Sequence, residues 1–95
     1  MSNASGYLGI AQRARKTATG EIIFKKFPKN EIKLIVLAED IGENTKNKLL
    51  NKCEYYGVPY SFMDAVEFAE LMGNRKVVAI LDKGLAQQLH TCLKG

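Results

Sequence analysis

Glu39 and Asp40 stand side by side at the end of the apolar run KLIVLA, and adjacent carboxylates first raise the possibility of acid–base catalysis. Successive side chains of an extended strand point to opposite faces, so two neighbours at a strand exit do not flank one reacting bond as the paired acids of glycosidases must. Their position still matters, because open α/β sheets bind ligands beyond the carboxyl ends of their strands. Two readings stay open: the acids rim a ligand crevice, or Asp40 holds the backbone donors of its turn while Glu39 is solvated.

Other chemistry is poorly supplied. His90 is the single histidine and lies in the last helical segment away from the strand ends, where a surface or half-buried helix position is expected. Cys53 and Cys92 form neither a C-x-x-C pair nor a zinc spacing, and read as two buried free thiols of a reducing compartment. No nucleophile is paired with a base, so no enzymatic activity is expected, and metal binding is equally poorly supported. EDIGENTK and LDKGLA each set one glycine between a strand and a helix, but neither matches a dinucleotide fingerprint or a P-loop.

Charge is the stronger signal. The 95 residues carry 14 Lys+Arg against 10 Asp+Glu, a net charge of +4, which favours an anionic partner. Half of the basic residues fall in the first third: Arg13, Arg15, Lys16, Lys25, Lys26, Lys29 and Lys33, against Glu21 and Glu31. They bracket the glycine turn ATGEI, where backbone N–H groups opening a helix, together with Lys and Arg, suit phosphates. A further basic pair, Arg75 and Lys76, precedes the last strand.

The elements that must position these groups follow from periodicity. IKLIVLA (Ile32–Ala38) and VVAIL (Val77–Leu81) are continuous branched apolar runs, the pattern of central strands covered on both faces, and VPYSFM (Val58–Met63) is a third strand. Helical spacing places Tyr7, Ile10, Ala11 and Ala14 on one stripe, and Leu49, Cys53 and Tyr56 on another that ends at Gly57, with Asn44 as N-cap. A short helix follows Gly20 and stops before Pro28. Asp64 caps a helix that turns Val66, Ala69 and Met72 or Phe68 inward and ends at Gly73. Leu85, Leu89, Cys92 and Leu93 line a terminal helix.

This order predicts a three-layer α/β/α sandwich around a small mixed, largely parallel sheet. With 46% hydrophobic residues the chain is sized for one domain, expected over residues 5–95, and MSNA at residues 1–4 has the look of an expression leader. No apolar run approaches the roughly 20 residues of a membrane span, and the charged-then-apolar layout of a signal peptide is missing, so no membrane contact and a cytoplasmic location are expected.

YLGIAQRARKTATGEIIFKK, KLIVLAEDIGENTKNKLLNKCEYYGVPY and VVAILDKGLAQQL together resemble the ribosomal-protein family of the L7Ae and L30e type, closest to its short bacterial YlxQ-like members. The resemblance spans Tyr7 to Leu89 and implies a non-catalytic protein without cofactor that binds kinked RNA helices of the kink-turn type. By motif, the RNA contacts it implies are Thr19, Gly20, Glu21, Ile22, Lys25 and Lys26 at the glycine turn and its helix. Glu39 and Asp40 follow after the first apolar strand, and Gly73, Asn74 and Arg75 before the last; Lys16, from the basic cluster, completes the set.

One departure stands out. Kink-turn binders of this family read RNA with an Asn-Glu or similar polar pair two and three residues after the glycine, where this chain has Ile22 and Ile23; a one-residue shift puts Glu21 and Ile22 there. Isoleucine cannot accept from a guanine edge, and a missing paired contact costs about 1–3 kcal/mol of discrimination. The short loop MGNRK also offers little apolar cover for an extruded base. The expected function is therefore recognition of structured, bent RNA, with ribosomal RNA among the candidates, by shape and backbone charge. The alternative is a protein-interaction module on the same fold, working through Ile22, Ile23, Phe24 and Phe27.

Overall fold

The computed structural model describes residues 4–94. Of the proposed leader, residues 1–3 lie outside the described residues, whereas Ala4 opens the first helix and is fully buried. The elements run α1 (Ala4–Arg13), β1 (Thr17–Ala18), α2 (Ile22–Lys26), β2 (Leu34–Ala38), α3 (Glu43–Tyr56), β3 (Tyr60–Met63), α4 (Ala65–Met72), β4 (Val77–Ile80) and α5 (Lys83–Lys94).

The four strands form one sheet in the order β1-β4-β2-β3. As the apolar runs predict, β2 and β4 are central, and all five residues of β2 are buried. Alternation divides them between two cores. Leu34, Val36 and Ala38 pack with Leu8, Phe68 and Leu89 beneath α1, α4 and α5, whereas Ile35 and Leu37 pack with Ile23, Leu49 and Cys53 beneath α2 and α3. This is the expected α/β/α sandwich.

The sheet is mixed, but the expectation that it is largely parallel needs correction. β3 pairs parallel with β2 after the crossover through α3, while β4 runs antiparallel to both β2 and β1. The cause is the β3–β4 connection. The eight-residue α4 and the turn at 73–76 return the chain to the end of the sheet it has just left, where the Ala38 N–H donates to the Lys76 carbonyl at 2.9 Å. Entering there, β4 can only run backwards along β2.

Three local readings also change. The buried stripe of α1 is Ala4, Leu8 and Ala11 with Tyr7 beside it, and Ile10 is exposed. In α4 the inward residue is Phe68, fully buried, while Val66 is 67% exposed. α3 starts one residue before Asn44, with Gly42 as an extended N-cap that makes no side-chain bond; Glu43 in the first turn faces the positive end of the helix dipole and pairs with Lys46 at 3.2 Å. Asp64 does cap α4, accepting from the Val66 and Glu67 N–H groups at 3.1 Å, and Gly57 ends α3 in the left-handed region at φ 67°.

Candidate nucleic-acid interface

The topology gathers three loops at the end of the sheet where β2 exits. β1 pairs antiparallel with β4, with Ala18 opposite Ala79, so the chain leaves β1 towards the start of β4 and turns at Gly20 beside it. Gly20 takes φ 70°, which L-residues adopt at a cost, and the Ile23 N–H donates back to its carbonyl at 3.1 Å. The loop of Glu39 and Asp40 lies next to the 73–76 loop through the Ala38–Lys76 backbone bond, and the Glu39 N–H donates to the Met63 carbonyl at 3.0 Å. Thr19, Gly20, Glu21, Glu39, Asp40, Gly73, Asn74 and Arg75 therefore share one end of the molecule.

A side-chain bond ties two of these loops. Lys76 Nζ donates to Asp40 Oδ2 at 2.8 Å, which holds the Asp40 carboxyl below its ordinary value near 3.8. Asp40 is thus held from across the rim by a lysine. Lys76 was visible as half of a basic pair in the sequence; its partner was not, because the two are joined only by the β2–β4 pairing. In Lys76→Met the Asp40 carboxyl should titrate at its ordinary value, as read by side-chain carbon NMR. Because the pKa is depressed in the folded state, the pair stabilises the protein above the ordinary carboxylate range and loses that contribution as pH falls through the lowered value. The difference in stability between protein and variant should therefore vanish in strong acid.

The basic residues divide. Lys25 is exposed on α2, one turn from Gly20, and Arg75 is exposed on the 73–76 loop; neither makes an ion pair among the described residues. Lys26 is half-buried and pairs with Glu31 at 3.4 Å, so its charge is partly committed within the protein. Lys16 lies at the opposite end of β1, its carbonyl accepting from the Leu81 N–H at 2.8 Å, a strand's length from Gly20.

The two isoleucines separate as well. Ile22 is 54% exposed in the first turn of α2, whereas Ile23 is fully buried in the core beneath α2 and α3. Phe27 is buried there too, and Phe24 is half-buried with Lys48 Nζ 4.7 Å above its ring. The apolar patch on which a protein-interaction surface would depend thus reduces largely to Ile22. On the other side of the Asp40–Lys76 pair, α4 presents exposed Val66 and Ala69, which with Ala65 and Glu70 line a shallow groove against Asp40 and Lys76. Val66 and Ala69, expected to face the core, are exposed instead.

The residues that could have run a reaction are engaged elsewhere. His90 is half-buried, and its Nδ1 lies 2.7 Å from the hydroxyl of Ser61, a buried residue of β3. Burial pushes the Cys53 thiol up to about 11, far from a reactive thiolate, and Cys92 is half-buried rather than fully enclosed. Among the described residues no group of three or more His, Cys, Asp or Glu could hold a metal ion, and no helix is long and apolar enough to cross a membrane.

Comparison with known proteins agrees with the fold. A protein from Bacillus halodurans C, described as of unknown function, superposes over 100% of both chains with a TM-score of 0.90 and 29% identity. The protein named RNA-binding protein YlxQ in Bacillus subtilis (strain 168) is 40% identical over 93 residues, covering 90% of each chain. Its namesake in Enterococcus faecium is 36% identical over 95 residues, covering 97% of this chain and 92% of its own. The profile of the ribosomal protein L7Ae/L30e/S12e/Gadd45 family matches residues 3–90, nearly the whole length over which the sandwich and its three gathered loops extend, and the chain is a member of that family.

Proposed function

We propose that this protein is a non-catalytic RNA-binding protein of the cytoplasm that holds a bent, kink-turn-type RNA at the β2-exit end of its sheet, mainly by shape and backbone charge. The observation that carries this reading is the convergence of the Gly20 turn, the Glu39–Asp40 loop and the 73–76 loop at one end, with Lys25 and Arg75 exposed and free of ion pairs among the described residues and Asp40 held by Lys76. The family and the names of two relatives support it.

In this arrangement Lys25 and Arg75 meet phosphates on the two strands that flank a bend, which fixes orientation without reading sequence. Ile22 packs against the RNA where other family members would hydrogen-bond, so base discrimination is weakened while contact area is kept. Val66 and Ala69 offer an apolar ledge to a base displaced from the stack, and Glu39 is free to accept from a base edge or a ribose hydroxyl at the rim. Lys16 and Lys26 play a smaller part, the first by its distance and the second by its pairing with Glu31.

A gel-shift titration tests this, comparing a kink-turn RNA with a straight duplex of equal length at about 50 and 200 mM salt. Preference for the kinked RNA should survive the higher salt. Equal, weak binding of both RNAs that disappears at the higher salt would overturn the proposal.

A further inference from the structure

The opposite end of the sheet carries surface that the proposed kink-turn contact does not use. Three shallow grooves meet there around the turn at 57–59. One lies between Lys33, Tyr56 and the face of α5 that bears Lys83 and His90, one between α3 and Tyr60, and one beside Lys52 and Tyr55. They adjoin one another: Val58 and Pro59 line the first two, and Tyr56 lines the first and third.

Two features make this end unusual. Tyr55 is 80% exposed and Tyr60 44%, and the Tyr55 ring stands edge-on to Tyr56 with centroids 4.8 Å apart, so an aromatic face is held out to solvent by its neighbour. The charge is also one-sided. Lys33, Lys52 and Lys83 make no ion pair among the described residues, although Lys33 Nζ does donate to the Asn30 carbonyl at 3.1 Å. Glu54, on the second groove, is the one carboxylate among the lining residues of all three.

Exposed rings interleaved with ammonium groups in shallow, adjoining grooves suit an unpaired nucleic-acid strand, because every base has a face to stack and every linkage a charge to meet. A duplex hides its bases, and a protein partner would want a wider unbroken apolar face than two separated tyrosines provide. We infer that this end is a second RNA surface, which takes a single strand by stacking bases on Tyr55 and Tyr60 and meeting its phosphates with Lys33, Lys52 and Lys83. The two RNA surfaces are then about one strand length apart, roughly 17 Å for five residues, so one molecule can hold a bend and the unpaired segment that flanks it. The inference stands on its own residues and shares with the proposed function only the class of partner.

The test uses a fluorescein-labelled oligouridylate of about ten nucleotides, within the reach of typical single-strand sites, followed by anisotropy beside a kink-turn RNA. Tyr55→Ala should weaken decamer binding at least about fivefold, the loss of one stacked base, and Tyr55→Phe should restore it. Lys33→Glu with Lys83→Glu should weaken it further, while Lys25→Glu with Arg75→Glu leaves it little changed. The exposure of Tyr55 lets its truncation be read without unfolding the protein. Failure of the decamer to bind at about 50 mM salt, or binding that follows Lys25 and Arg75 and ignores Tyr55, would overturn the inference. The kink-turn arm reports separately on the other end, so the two surfaces can fail independently.

Discussion

Phe68→Ala is expected to destabilise the protein by about 3–5 kcal/mol, the range for emptying a fully buried aromatic site. Phe68 is 0% exposed and belongs to the core that joins α4 to Leu34, Val36, Leu8 and Leu89, so both the transfer of the ring and the cavity left behind count against the variant. A chain of 95 residues has a total stability of roughly 5–14 kcal/mol, which makes this loss a large part of the whole. Val66→Ala, one turn face away and 67% exposed, should change stability by no more than about 0.5 kcal/mol. Urea unfolding of both variants decides which face of α4 is inside. A larger effect at Val66 than at Phe68 would reverse the orientation of that helix and remove the apolar ledge beside Asp40.

The second large effect is on binding. Lys25→Glu with Arg75→Glu should weaken kink-turn RNA binding by about 25- to 60-fold near 0.1 M salt, because each of the two phosphate contacts contributes about 0.7–0.9 log units per tenfold change in salt. The slope of log affinity against log salt should fall by about 1.4–1.8 for the pair. Both residues are exposed and free of ion pairs among the described residues, so the change should leave folding intact. Lys26→Glu is the informative comparison: its ammonium already faces Glu31, and it should cost less affinity than Lys25→Glu. Equal affinity and slope in the double variant would move the RNA away from this end altogether.

The layers were legible in the sequence because β2 and β4 are continuous apolar runs that only a doubly covered strand requires, and Gly57 and Asp64 mark helix ends by chemistry local to the chain. The face of α4 was not legible for an equally physical reason. AVEFAELM has apolar residues on both sides of a short helix, and periodicity cannot choose between a stripe through Val66 and Ala69 and one through Phe68. β1 escaped notice because two residues show no alternation and owe their strand conformation to β4 alone.

The candidate site was legible only in pieces. Its residues come from three distant segments, and what unites them is the reversed direction of β4, which no local pattern encodes. The basic cluster of the first third is contiguous in sequence, yet the chain runs from Gly20 at one end of the sheet to Lys33 at the entry of β2, so Lys33 lies at the other end from the Gly20 turn. The resemblance supplied the loops that the residues alone could not assemble.

The pairing of β1 with β4 also bears on how the protein comes into being. Thr17 and Ala18 lie opposite Ile80 and Ala79 in the ladder, so an early segment has to await the last strand, and loops that large are slow to close. During synthesis the Gly20 turn therefore lacks the strand that fixes it until almost the whole chain has emerged. Once folded, the same two-residue ladder is the sheet's shortest, which marks it as the first to open by local unfolding and the place where amide hydrogens should exchange fastest within the sheet.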